Sequence, residues 1–266
     1  MQKIGLSLSG GGARGFAHLG MIKALEEEGV EFNLISGASA GAIVGLLYAT
    51  GRKADEIYEI TSKLNFLKIF RPALNWRGLL KLENVASVLR QYIEKDDFSS
   101  LKTPLIISAT DLGKGKIKYF RKGQLIQPTL ASCSIPVVFD PVTIGDSQYI
   151  DGGILDNLPV KPLKKETDFI IGMHVNPIQA DYEPSNWRDL MERSLLMAVS
   201  AGTYLKKKKC DLFWEPQQLS SFKVFDYKKS GEMYEIGYRY AKQEIEAGAL
   251  RKLKKKSAPA NKKVLS

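Results

Sequence analysis

Short apolar runs alternate along this chain with longer stretches whose apolar positions recur every three or four residues. Residues 4–8, 32–36, 105–110 and 169–175 read as short buried strands, and the segment 116–121 as a strand that pairs nearby. Another strand ends at Tyr149 and Ile150. Between them, residues 16–28 carry Phe16, Leu19, Ile22 and Leu25 on one helical stripe, with Gly29 as a stop. Residues 40–50 are almost entirely apolar and predict a buried helix. Helical periods also run through 54–64, 83–93, 190–206 and 232–251. Strands that alternate with helices predict an α/β chain: a mostly parallel central sheet covered on both faces, the three-layer α/β/α architecture. With no internal repeat and no linker, the expectation is one domain over residues 1–250, followed by a basic flexible tail at 251–266.

Composition changes this picture little. The chain has 266 residues, 44% hydrophobic and 26% charged, an ordinary globular balance. No apolar run approaches the ~18 residues of a membrane span, and the first apolar run is too short for a signal peptide. The net charge of +10 is concentrated, since residues 251–263 supply seven positive charges and no acid. That tail reads as solvated, with peripheral contact to an anionic membrane surface as the second reading. Lys206 to Lys209 close a helix, where cations suit the dipole. No aromatic-interleaved basic face argues for nucleic acid. Cys133 and Cys210 make neither a disulfide framework nor a metal site, so a reduced, cytoplasmic setting is expected.

The chemistry begins at SLSGGGARGFAHLG. Gly10, Gly12 and Gly15 fit G-x-G-x-x-G between a strand and a helix, the opening of a dinucleotide-binding fold. Such a fold needs an acid at the end of the second strand, yet the second strand runs into ISGASAGAIVG. There Gly37-Ala38-Ser39-Ala40-Gly41 matches G-x-S-x-G between a strand and a helix, the context of a nucleophile elbow. Ser39 is the candidate nucleophile, with a plain helix cap as the bland alternative. The glycine loop is then expected to serve the serine, the N–H groups of Gly10, Gly11 and Gly12 meeting the negative oxygen of a tetrahedral intermediate. Arg14 would support that loop or hold a phosphate. The alternative is a packing turn with a solvent-facing arginine.

A serine hydroxyl needs a base. Of the two histidines, His18 reads as structural, whereas His174, near a strand end, would complete a Ser39–Asp151–His174 triad. Against it stands YIDGGILDNLPV, where Gly152 and Gly153 let Asp151 approach another loop closely. Asp111 is the next-best acid. A free aspartate, with a pKa near 3.9, is a poor match for a serine hydroxyl, so burial would have to raise it.

GGGARG, GASAG and DGG, in that order, resemble the patatin-like phospholipase family, in its bacterial branch. SATDLGKGKIKYF, ASCSIPVVFDPV and YIDGGILDNLPV are similar to it too, and the likeness is clear over residues 3–175. The resemblance implies a Ser39–Asp151 dyad without histidine, Gly10, Gly11, Gly12, Arg14 and Gly15 as the oxyanion loop, and no metal or cofactor. Ser9 departs from plant patatins, which usually carry an aspartate before the glycines. The implied activity is hydrolysis of carboxylic esters of phospholipids or lysophospholipids through an acyl-serine. Acyl transfer from the same intermediate, a catalytically idle lipid-sensing regulator and an NAD-dependent oxidoreductase are the alternatives. Residues 64–80 mix aromatic and basic side chains and read either as a mobile cover on a lipid surface or as an ordinary packed insertion.

Overall fold

The computed structural model describes residues 2–64, 71–75, 78–251 and 253. Five parallel strands form its centre, in the order β11 (Leu212–Trp214), β10 (Phe169–Met173), β1 (Ile4–Leu8), β2 (Leu34–Gly37) and β5 (Leu105–Asp111). Beyond them an antiparallel margin is built from β6 (Lys116–Phe120), β8 (Val142–Ile144) and β9 (Ser147–Asp151). The sheet is thus mixed, parallel at its centre.

Alternation along the central strands feeds two cores. Phe169, Ile171, Ile35 and Leu105 point to one side, where helices α1 (Phe16–Glu27), α2 (Ala40–Ala49) and α3 (Ala54–Ser62) close the main core. The neighbours Ile170, Leu34 and Ile106 point to the other, against Leu158, Val160 and Leu163. That second side also carries the short α6 (Gly153–Asp156) and the long α7 (Trp187–Lys207) packed upon it. The C-terminal helix α8 (Ser230–Glu246) lies along α1. Helices on both faces of the sheet make the three-layer α/β/α arrangement.

One detail of register places the site. Ile107 pairs with both Gly37 of β2 and Phe120 of β6, so those strands occupy opposite edges of β5. Ala109 pairs with both Lys118 of β6 and Asp151 of β9. Strand β9 therefore takes over the edge of β5 that β2 leaves at Gly37. The end of β9 is brought beside the turn that follows β2.

Near this edge, α4 (Glu83–Arg90) and α5 (Ile126–Ser132) pack together, and a small sheet joins β3 (Arg71–Asn75), β4 (Gly78–Lys81) and β7 (Val137–Phe139). Of the cover expected at residues 64–80, positions 65–70, 76 and 77 lie outside the described residues. Most of the basic tail, residues 252 and 254–266, lies outside them as well.

Candidate active site

Ser39 stands between β2 and α2 with φ 51° and ψ −124°, a left-handed conformation rare for a side-chain-bearing residue. Such strain costs on the order of 1–3 kcal/mol and persists where the surroundings fix it. Here the glycines fix it. A Cβ on Gly37 would lie 2.4 Å from the Gly41 carbonyl oxygen, and one on Gly41 would lie 2.5 Å from that of Leu8. The Ser39 N–H donates to Ser132 Oγ at 2.8 Å, tying the elbow to the end of α5.

The Ser39 hydroxyl shares a cleft with the carboxylate of Asp151 and lies near enough to favour its charged form. Asp151 ends β9 and is held on every side. Its N–H donates to the Ser134 carbonyl at 2.9 Å, and its own carbonyl accepts from Thr110 Oγ1 at 2.9 Å. The Gly153 N–H reaches Oδ1 at 2.7 Å. Gly152 allows the approach, since a Cβ there would sit 2.1 Å from the Ser108 carbonyl oxygen. Burial pushes the Asp151 carboxyl up to about 6, against the opposing influence of Ser39 and the hydrogen bond from Gly153. A carboxylate of that basicity is a better match for a serine proton than a free aspartate.

The glycine loop meets the elbow directly: a Cβ on Gly10 would lie 2.9 Å from Ser39 Cβ, and one on Gly15 would lie 2.8 Å from Ala40 Cβ. Two asparagines clamp Gly10. Asn157 Oδ1 accepts its N–H at 3.1 Å, and Asn176 Nδ2 donates to its carbonyl at 2.8 Å, joined by Ser9 Oγ at 2.9 Å. Because C=O and N–H point oppositely across a trans peptide, anchoring the Gly10 carbonyl turns the Gly11 N–H the other way. The Gly11 and Gly12 N–H groups have no acceptor among the described residues. Of the three glycine donors expected from the sequence, Gly10 is therefore engaged and two are open.

Arg14 is buried rather than solvent-facing. Its guanidinium donates to the Phe222 carbonyl and to Asn176 Oδ1, so it ties the loop to the chain around Phe222. Burial lowers its pKa, with Glu192 and Asp226 opposing.

His18 Nε2 is paired with the Ser9 carbonyl at 2.9 Å, and burial lowers the ring's pKa to about 4. His174 Nδ1 meets Glu215 Oε1 at 2.6 Å, and its ring packs against Tyr204 and Phe213. Neither histidine ring hydrogen-bonds to Ser39 or Asp151. Asp111 turns to Lys114, accepting from its N–H at 2.9 Å and its Nζ at 3.0 Å. The sequence reading passed over Asn157, Asn176 and Ser132. Asn157 lies inside the quoted YIDGGILDNLPV, but an asparagine after a turn carries no chemical signature of its own.

Ser39 lines two cavities. One, of about 120 Å³, is apolar and runs beneath Phe16, Ile43, Leu47, Leu82, Val88 and Leu89. The other, about 510 Å³, is a cleft that also holds Gly11, Gly12, Asp151 and Asn157 and is walled by α7. The nucleophile sits where an apolar tunnel meets a wide, partly polar mouth.

Residues 6–164 match the patatin-like phospholipase family profile. The chain is 35% identical over 216 residues to an uncharacterized NTE family protein of Mycobacterium tuberculosis, covering 76% of this chain and 60% of that one. It is 28% identical over 279 residues to a lysophospholipase NTE1 of Debaryomyces hansenii, covering 90% of this chain and 18% of that protein. The chain thus spans only part of these relatives. Among solved structures, VipD from Legionella pneumophila superposes with a TM-score of 0.62 at 16% identity, over 92% of this chain and 67% of that one. With more than half of its length matched by the family profile, and with Ser39, Asp151 and the glycine loop gathered at one point, the chain belongs to the patatin-like phospholipase family.

Proposed function

We propose that the protein is a serine hydrolase of lipid acyl esters, phospholipids or lysophospholipids, working through an acyl-Ser39 intermediate with Asp151 as base. The observation that carries this reading is Ser39, held at a strained φ in the same cleft as a buried Asp151 carboxyl whose pKa is raised to about 6. As Ser39 Oγ attacks the ester carbonyl, its proton passes to Asp151 and the carbonyl oxygen takes up negative charge. The Gly11 and Gly12 N–H groups stabilise that oxygen without reorganising. Asp151 then gives the proton to the departing alcohol. Water in the cleft, deprotonated by Asp151, attacks the acyl-serine; the acyl–Oγ bond breaks, Asp151 returns the proton to Ser39 Oγ, and the fatty acid leaves. The apolar tunnel suits the acyl chain and the cleft suits the alcohol portion. The proposed setting is cytoplasmic with peripheral membrane contact, and no helix of the described residues is long and apolar enough to cross a membrane.

A fluorophosphonate probe tests the nucleophile. One adduct on the peptide containing Ser39 is expected by mass spectrometry, absent in Ser39→Ala. An adduct on a different serine, with full activity in Ser39→Ala, sinks the proposal.

A further inference from the structure

The outer face of α7 does not look like that of a surface helix. Leu190, Met191, Ser194, Ala198 and Leu205 all lie exposed along it, at spacings that keep them on one side for about four turns. Leu190 is 54% exposed, Met191 49% and Leu205 77%. Charged side chains of the same helix face the protein instead. Asp189 accepts from Lys223 Nζ at 2.8 Å, and Glu192 Oε1 accepts the Val224 N–H at 2.9 Å. Arg193 stacks on Tyr182, and Lys206 pairs with Asp156. The polar groups anchor the helix while the apolar stripe is left to the outside, the reverse of a solvated surface helix.

We propose that this face docks the protein on an anionic phospholipid bilayer, an inference that rests on the lipid-hydrolase reading and adds the surface through which substrate arrives. Two observations favour a bilayer over a second copy of the chain. Met191 and Leu195 belong to the exposed face and to the wall of the cleft holding Ser39, so the stripe borders the mouth of the site. A bilayer pressed there hands a lipid ester into the cleft without carrying its chains through water, whereas a second copy closes the entrance. The charge is also right: Lys206 and Lys207 close this helix, and Lys208 and Lys209 follow it, exposed, in the turn. Basic residues beside an inserted apolar face give affinity for anionic headgroups. Phe225, 44% exposed and lining the cleft and the tunnel alike, extends the apolar rim.

The test is sedimentation of the Ser39→Ala protein with phosphatidylcholine vesicles, with and without phosphatidylglycerol. Binding is expected to require the anionic lipid. The double substitution Leu190→Glu, Leu205→Glu, at positions away from both cavities, should weaken it about tenfold or more. In the protein that keeps Ser39, the same pair should cut hydrolysis of vesicle lipid in parallel. Turnover of a soluble short-chain ester should stay within about twofold, since the chemistry is untouched. Unchanged vesicle binding in the double variant overturns the proposal. So does sedimentation velocity showing a dimer that the double variant dissociates, which would make the face a self-interface. The two readings fail separately: binding without esterase activity would reject the hydrolase and leave the docking face standing.

Discussion

In the proposed mechanism Asp151 sets the pH dependence, because its carboxylate takes the serine proton. With its pKa raised to about 6, kcat/KM should fall tenfold per pH unit below that value. His18, lowered to about 4, stays neutral across that limb. The same shift links to stability. A carboxyl raised in the folded state favours folding below its unfolded pKa near 3.8, and that contribution is lost as pH rises through about 6. Asp151→Asn should therefore be inactive yet melt a few degrees higher at pH 8, the order of about 2–3 kcal/mol, with no gain below pH 4. Titration of kcat/KM and thermal melts of both proteins check this. A second expectation concerns the clamp on Gly10. Asn176→Ala leaves the Gly10 carbonyl with Ser9 Oγ as its remaining donor and removes an acceptor of Arg14, so the aim of the Gly11 donor loosens. Turnover of a soluble ester should fall by about 10- to 100-fold with KM nearly constant, up to the cost of a lost oxyanion donor. A folded Asn176→Ala with full kcat would deny the clamp its role. At this scale the sequence pointed to Ser39 and Asp151 through the glycines that the close packing demands, Gly37 and Gly41 two positions either side of Ser39 and Gly152 after Asp151. It was silent on Asn157 and Asn176, because their work depends on which backbone groups the fold brings to them.

Helices α2 and α4 supply much of the tunnel wall, so acyl preference should be tunable from α4 alone. Val88 lines the tunnel and is only partly buried. Val88→Trp should narrow it, lowering kcat/KM for a long-chain p-nitrophenyl ester by tenfold or more relative to the acetate, of the order of the loss of several buried methylenes. An unchanged ratio would place the acyl chain elsewhere. Long elements were legible because several turns of apolar repeats accumulate, as in residues 16–28 against the observed Phe16–Glu27. The strands Val137–Phe139, Val142–Ile144 and Leu212–Trp214, of three residues each, were missed. Three residues hold one period of alternation, which nothing separates from a loop. The predicted helix 190–206 also began late. Asn186 Oδ1 accepts the Asp189 N–H at 3.1 Å, starting the helix at Trp187 before the apolar repeat is established.

At the scale of the whole molecule, the last helix holds the first. A Cβ on Gly237 of α8 would lie 2.1 Å from the Ala17 carbonyl oxygen, and one on Gly20 of α1 would lie 2.0 Å from that of Tyr234. The two backbones touch, and α1 begins where the glycine loop ends. Gly237→Val should force them apart, costing about 1–3 kcal/mol as overpacking does. A Tm lower by several degrees, with reduced turnover because the loop shifts with α1, is the expected result. An unchanged Tm would show that α8 can move away freely. This closure was not legible beforehand. The family profile ends at residue 164, and a glycine inside a helical pattern reads as a weakness until its opposing backbone is known.

The cleft beside Ser39, at about 510 Å³, is much wider than an attacking water requires. In the proposed mechanism, once the first alcohol departs the acyl-serine would face whatever fills that space, and the fate of the acyl group would be a competition governed by mass action. In dilute solution water wins. Against a lipid surface rich in hydroxyl-bearing headgroups, the same intermediate would divide its flux between free acid and new ester. Added short alcohols should accordingly divert product to their esters in proportion to concentration, while the rate of acyl-serine formation stays fixed. Mass spectrometry of the products measures that branching ratio, and a ratio pinned at pure hydrolysis would mean the cleft is closed to every nucleophile but water.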